Sequence, residues 1–156
     1  MILSIRSRFG FTLVELVTVI VLLSVLSVLA LSRLGNVSGF ERRAYYDEVV
    51  NALRYAQKVA LTTGCSVRVE LNTNSYRLRQ GTSCTAITFD RNVLNPANRA
   101  TAYQNLSPPD GVTISPAASI TFTPQSTVTG LAADTVFSVG SLQFKVFQNT
   151  GLVDVN

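Results

Sequence analysis

Three groups of residues in this 156-residue chain could do chemistry, and none is a conventional catalytic set. Glu15 is the single acid in the apolar stretch that follows Arg6, Arg8 and Gly10 in RSRFGFTLVELVTVIVLLSVLSVLAL, residues 6–31. A carboxylate inside a membrane-length run costs roughly 2.5 to 3.5 kcal/mol on insertion scales. The dipole of a helix beginning just before it returns only about 0.3 to 1 kcal/mol, so Glu15 calls for a cationic partner. Cys65 and Cys84 are the only thiols and could pair. Arg68, Arg77 and Arg79 form a candidate basic patch, although Arg68 between Val67 and Val69 also reads as an outward strand position.

The same inventory removes whole classes of function. The chain has no His, so the usual general base and most transition-metal sites are missing, and two Cys do not make a four-ligand zinc site. Lys58 sits on a charged helical face and Lys145 inside a strand-like segment, both most simply solvated. There is no glycine-rich phosphate loop and no acidic loop suited to calcium. No enzyme activity, cofactor or metal is expected. Nor does charge argue for nucleic acid. Of thirteen basic residues, Arg6, Arg8 and Arg33 precede residue 34, which leaves ten against eight acids and a net of only +2 beyond it. Residues 100–156 hold one basic residue, Lys145.

These groups need elements to carry them. A helix of about 20 apolar residues covers the roughly 30 Å hydrocarbon core of a bilayer. The run after Gly10 is longer than a signal-peptide core, and Leu31-Ser32-Arg33-Leu34-Gly35 is a poor match to a small-x-small cleavage site. With Arg6 and Arg8 on its N-terminal side, the positive-inside rule puts residues 1–9 in the cytoplasm and the rest across the membrane. There a disulfide is permitted.

Gly10-Phe11-Thr12-Leu13-Val14-Glu15 followed by an apolar helix resembles the N-terminus of type IV prepilins and type II secretion pseudopilins. The resemblance implies cleavage by prepilin peptidase between Gly10 and Phe11, N-methylation of Phe11, and pairing of Glu15 with the N-terminal amine of a neighbouring subunit during assembly. It divides the chain into a leader (1–10), a transmembrane and filament-core helix (11–33), an amphipathic continuation (34–64) and a β-rich globular domain (65–156). Thr18, Ser24, Ser27 and Ser32 interrupt the apolar helix with hydroxyls that can bond their own backbone or admit close helix contact. Without a proline before Pro96, Gly35 and Gly39 are its soft points.

In the amphipathic half, Tyr46, Val49, Val50, Leu53, Ala56, Val59 and Ala60 recur at helical spacing, with Arg42, Arg43, Asp47, Glu48, Arg54 and Lys58 mostly on the other face. Arg54 and Lys58 are like charges four apart, so packing must hold this helix. Thr62-Thr63-Gly64 supplies its stop. Ser66–Leu71 and Tyr76–Arg79, joined by Asn72-Thr73-Asn74-Ser75, read as a hairpin. A turn centred between Thr73 and Asn74 puts Thr82 opposite Cys65. A Cys65–Cys84 bridge is then in reach if the chain bends at Gly81; otherwise the two remain buried free thiols. Further strands are expected at Ile87–Phe89, Val112–Ser115, Ile120–Thr123, Thr135–Val139, Leu142–Phe147 and Leu152–Val155. Asp90–Pro109 should be a surface loop, and Asn149-Thr150-Gly151 the last hairpin turn.

The fold class is therefore α+β, a long N-terminal helix with an apolar and an amphipathic half packed on a small antiparallel sheet or sandwich. The order of elements, with Ile120-Thr121-Phe122 and the closing Phe147–Leu152 hairpin, resembles the GspH and FimT group of minor pilins and pseudopilins. Leu16-Val17-Thr18-Val19-Ile20, Leu53-Arg54-Tyr55-Ala56-Gln57 and Cys65 look most like the minor pilin C subfamily of the mannose-sensitive haemagglutinin pilus. What this implies is a subunit that initiates, caps or populates a filament. Its partners would be other pilin subunits, the assembly machinery and the peptidase, with the inner membrane as its first location and the cell surface or periplasm as its last. The competing readings are a type II secretion pseudopilin and a tip module that binds DNA or a surface; nucleic acid is disfavoured by the charge distribution.

Overall fold

A computed structural model of the chain describes residues 12–34 and 37–155, with side-chain surroundings for 12–27 and 39–155. Gly10, Phe11 and Gly35 therefore lie outside the described residues. The chain divides into two compact units, Met1–Val37 and Ser38–Asn156, taken in turn below.

The first unit contributes α1, Leu13–Leu34. Thr12 caps it: its hydroxyl oxygen accepts the Glu15 N–H at 3.3 Å and its carbonyl accepts the Leu16 N–H at 3.2 Å. Both bonds satisfy donors that a helix start leaves open. The hydroxyls of Thr18, Ser24 and Ser27 turn back to the carbonyls of Glu15, Val21 and Leu23 at 2.9, 2.7 and 2.7 Å. They are thus satisfied within the helix. The apolar side chains from Leu13 to Leu26 are exposed. Among the described residues no helix is long and apolar enough to cross a membrane.

The second unit is built on α2, Val37–Thr63. Its buried stripe is Tyr45, Tyr46, Val49, Val50, Ala52, Leu53, Ala56 and Ala60, with Val59 half-buried at the edge. The helix ends where the sequence supplies a stop. The Thr62 and Thr63 hydroxyls donate to the Lys58 and Val59 carbonyls at 2.9 and 2.7 Å. Gly64 then takes φ +68°, and its N–H reaches the Ala60 carbonyl at 3.1 Å.

Two antiparallel sheets share one core with this stripe. The larger has the order β3-β2-β1-β6-β7, with β4 also on β2: β1 is Val67–Asn72, β2 Ser75–Gln80, β3 Arg91–Asn92, β4 Gln104–Asn105, β6 Ala118–Phe122 and β7 Val128–Thr129. The smaller runs β10-β9-β8-β5, with β5 Ile114–Ser115, β8 Thr135–Val139, β9 Leu142–Val146 and β10 Val153–Val155. The inward residues alternate as a half-buried sheet requires: Val67, Val69 and Leu71 on β1, Tyr76 and Leu78 on β2, Phe137 on β8 and Phe144 on β9. The helix is tied to both sheets. Tyr46 donates to the Gln143 carbonyl at 2.7 Å, Arg54 to the Val153 carbonyl at 3.1 Å, and Tyr76 to Glu48 at 2.6 Å.

The β1/β2 register pairs Asn72 with Ser75 and Val67 with Gln80, as a turn between Thr73 and Asn74 demands. Extended by two residues, it sets Thr82 opposite Cys65. The chain bends at Thr82 and Ser83, just after Gly81, and a β-carbon on Gly81 would lie 2.8 Å from the Ser83 carbonyl oxygen. Cys65 and Cys84 form a disulfide, their Cα atoms 4.4 Å apart.

Three expectations are corrected. Ile87–Phe89 is not a strand: Ile87 is 92% exposed, and Phe89 instead lies under the Arg68 guanidinium, 4.0 Å from its ring centre. Asp90–Pro109 is not a plain surface loop. It supplies β3 and β4 along the outer edge of β2, and it buries Val93. β7 was not anticipated, because two residues are too few to show alternation.

Candidate functional site

At the N-terminal site, Glu15 is exposed in the first turn of α1. Its backbone N–H is committed to Thr12, while no ion pair involves its carboxylate among the described residues. Thr12-x-x-Glu15 is the spacing of a capping box, a signal the sequence carried, which fixes where the helix starts independently of any partner. What the site can do is simple electrostatics. A fixed negative charge near the helix N-terminus, set among exposed Leu13, Val14 and Leu16, attracts a cation presented by another apolar surface.

Arg68, Arg77 and Arg79 are brought together on the outward face of β1 and β2, where Arg68 pairs across the ladder with Arg79, and Glu70 with Arg77. Each is engaged within the fold. Arg77 lies 2.9 Å from the Glu70 carboxylate as a charge contact rather than an aligned hydrogen bond. Arg68 stacks on Phe89 and reaches the Thr121 hydroxyl at 3.4 Å, and Arg79 donates to the Asp90 carbonyl at 3.2 Å. Glu70 offsets the charge of Arg77, while Arg68 and Arg79 are engaged by neutral groups, so the arginines are held within the fold but their charge is only partly compensated.

Sequence reasoning missed a third cluster. Glu48 was assigned to the solvated side of the helix, yet its Oε1 accepts the Tyr76 hydroxyl at 2.6 Å and the Asn105 amide at 3.3 Å, and its Oε2 accepts that amide at 3.1 Å. Burial raises the Tyr45 hydroxyl to about 12, with the Glu48 charge adding. The Tyr76 hydroxyl is raised as well, first by burial and then by its bond to Glu48, and Tyr103 is raised by burial and the same charge. The available sequence signal was position: Glu48 interrupts the run Tyr45, Tyr46, Val49, Val50, so it borders the buried stripe.

Comparison with known proteins bears on both units. The prokaryotic N-terminal methylation motif matches residues 5–31, and the family described as type II transport protein GspH matches residues 46–155. No curated protein sequence matches the chain significantly. Among solved structures, the fold is similar to the type IV minor pilin FimU of Pseudomonas aeruginosa strain PAO1 in two crystal forms. One has a TM-score of 0.55 at 13% identity, covering 76% of this chain and 90% of the other. The second has a TM-score of 0.50 at 11% identity, covering 73% and 91%. At such identities the likeness concerns the fold: a helix packed on antiparallel sheets.

Proposed function

The chain belongs to the family of the type II transport protein GspH, and from that premise we propose that it is a minor pilin subunit of a type IV pilus. In this reading prepilin peptidase removes residues 1–10, cutting between Gly10 and Phe11, and methylates the new N-terminus at Phe11. Residues 11–33 hold the subunit in the inner membrane with its N-terminus cytoplasmic and its domain periplasmic. Residues 34–64 continue that helix into the domain of residues 65–156. On assembly the apolar helix moves from lipid to the filament core without leaving an apolar environment. Glu15 then pairs with the N-terminal amine of a neighbouring subunit.

The observation that carries the proposal is one carboxylate in the first turn of an otherwise apolar, exposed helix, five residues after a glycine that follows two arginines. A capping-box spacing accounts for the helix start, but a carboxylate carried by a membrane-spanning helix comes at a cost of roughly 2.5 to 3.5 kcal/mol, which a neighbouring subunit's amine would offset. The mannose-sensitive haemagglutinin type of pilus is the specific assignment. It rests on Leu16–Ile20, Leu53–Gln57 and Cys65. A pseudopilin of a type II secretion system is the second reading, favoured by the description of the matched family itself.

The experiment is processing and incorporation in the native cell. Replacing Gly10 with a bulky residue should leave full-length precursor in the inner membrane; mature-length protein from that variant would overturn the cleavage assignment. Recovery of the chain in sheared surface filaments supports the pilus, whereas recovery only in the periplasm, with secretion lost on deletion, supports the pseudopilin.

A further inference from the structure

The register of the larger sheet sets Asn92, Arg79, Arg68 and Thr121 side by side on its outward face, one each from β3, β2, β1 and β6. At the centre of this row two guanidiniums meet. Directly opposite residues of an antiparallel pair hold their β-carbons about 4.5 to 5.5 Å apart, and like charges so placed repel. Neither arginine has a compensating acid. Glu70 is engaged by Arg77, and among the described residues no carboxylate forms an ion pair with Arg68 or Arg79. Asp90 gives Arg79 only its backbone carbonyl.

Both guanidiniums are nevertheless fixed. Arg68 lies over the Phe89 ring at 4.0 Å and directs its Nε to the Thr121 hydroxyl at 3.4 Å, while Arg79 commits Nη1 to the Asp90 carbonyl at 3.2 Å. Phe89 and Asp90 follow Cys84, which the disulfide ties to Cys65 just before β1. Three terminal nitrogens are left over. Arg68 Nη1 and Nη2 and Arg79 Nη2 bond to nothing among the described residues, and they are open to solvent where the Arg79 Nε is sealed from it. Two facing cations, held in position before any ligand arrives, make a preorganised site for an anion.

We propose that Arg68 and Arg79 bind a phosphate monoester group, which bridges the two guanidiniums through the terminal nitrogens that the fold leaves free. The count of oxygens and charges selects this anion. One guanidinium fork already matches both oxygens of a carboxylate, whereas a phosphate monoester brings a charge near −2 and three acceptor oxygens, enough for two separate forks. The exposed Asn92 amide adds a neutral donor at the Arg79 end of the row. A polyanion fits less well. Glu70, two residues from Arg68 on the same face of β1, and Asp90, beside Arg79, confine the positive potential to about one oxyanion, so a nucleic-acid backbone would meet carboxylates as well. Inorganic phosphate and a phosphorylated small molecule present the same oxygens. The site involves no residue of α1, so it stands or falls separately from the filament reading.

The test is an NMR titration of the full chain in maltoside micelles at constant ionic strength, read from the nitrogen-15 signals of the arginine Nε–H groups. The probes are methyl phosphate, inorganic phosphate, dimethyl phosphate, acetate and a DNA dodecamer without terminal phosphates. Methyl phosphate and inorganic phosphate should shift the Arg68 and Arg79 signals saturably, and several-fold more weakly at about pH 5, where the second proton is bound, than at about pH 8. Dimethyl phosphate and acetate, with one charge each, should bind several-fold less tightly. Arg79→Gln should weaken methyl phosphate binding about tenfold, and Arg68→Lys, which keeps the charge but loses the fork, a few-fold. Arg99→Gln removes the same charge from the turn closed by Leu94 and Ala102 and should change nothing. Tighter binding of inorganic phosphate assigns the site to the free ion, and tighter binding of methyl phosphate to an ester. The proposal is overturned if neither signal moves, or if dimethyl phosphate or the DNA binds as tightly as methyl phosphate. It is equally overturned if Arg79→Gln binds undiminished while the Arg54 signal, which reports the bond to the Val153 carbonyl, shows an intact fold.

Discussion

The two helices of this chain are made from similar apolar residues and treat them in opposite ways. In α1, Leu13 is 78% and Leu22 63% exposed, whereas in α2 Val49 and Leu53 are 0% exposed beneath the sheets. The difference is one of pattern. From Leu16 to Leu26 α1 carries apolar side chains around its whole circumference, broken only by Thr18 and Ser24, so no single face can be turned inward. α2 confines its apolar residues to a stripe that one domain can cover, and its polar residues bond to strands in both sheets. The lesson is that the domain draws its stability from within the chain, while α1 must draw its cover from outside.

Perturbing each helix should separate the two behaviours. Leu53→Ala removes a fully buried side chain from α2 and should destabilise the domain by about 2 to 5 kcal/mol in chemical denaturation. A loss below 1 kcal/mol would mean that the stripe is not the core. Cys84→Ser opens the loop closed by Cys65 and Cys84, 19 residues apart in sequence. It should cost roughly 2 to 3 kcal/mol, with reductant giving the same loss in the unmodified chain.

The tyrosines under α2 give a pH signature. Tyr45 is neutral in the fold up to about 12, against its ordinary value of 10.0, because burial disfavours the phenolate. Its contribution is fully present below pH 10 and is lost as pH rises through the folded value. Stability should therefore fall by on the order of 2 kcal/mol between about pH 10 and 12, and Tyr45→Phe should remove that part of the slope. The smallest effect belongs to α1. Leu22→Ser should change domain unfolding by less than about 0.5 kcal/mol and yet reduce recovery of the chain in filaments. An equal effect on both would erase the distinction between the helices.

How far the sequence disclosed this architecture depended on whether neighbouring residues or distant ones decide each feature. Asn72 to Ser75 set the hairpin turn locally, and with it the register that leaves Thr82 opposite Cys65 and requires a bend close to it, found at Thr82 and Ser83. The end of α2 at Gly64 and the strand Thr135–Val139 were legible for the same reason. β3, β4 and β7 were not, because each is two residues long and is defined only by the strand it meets. Ile87-Thr88-Phe89 had the alternation of a strand but found no partner, and Phe89 was taken up by Arg68 instead. Glu48 was misplaced because its contacts, Tyr76 and Asn105, lie 28 and 57 residues away. The N-terminal methylation motif, matched over residues 5–31, was readable from residue order alone, since such a motif is a local pattern.

We propose that Glu15 serves contact between subunits. The direct measurement compares Glu15→Ala with the unmodified chain, using intact mass to establish the N-terminus and sheared filaments to quantify incorporation. We predict that the variant is cut after Gly10 and methylated as usual but is largely absent from filaments. Undiminished incorporation of a correctly processed Glu15→Ala chain would contradict the claim and reduce α1 to a membrane anchor.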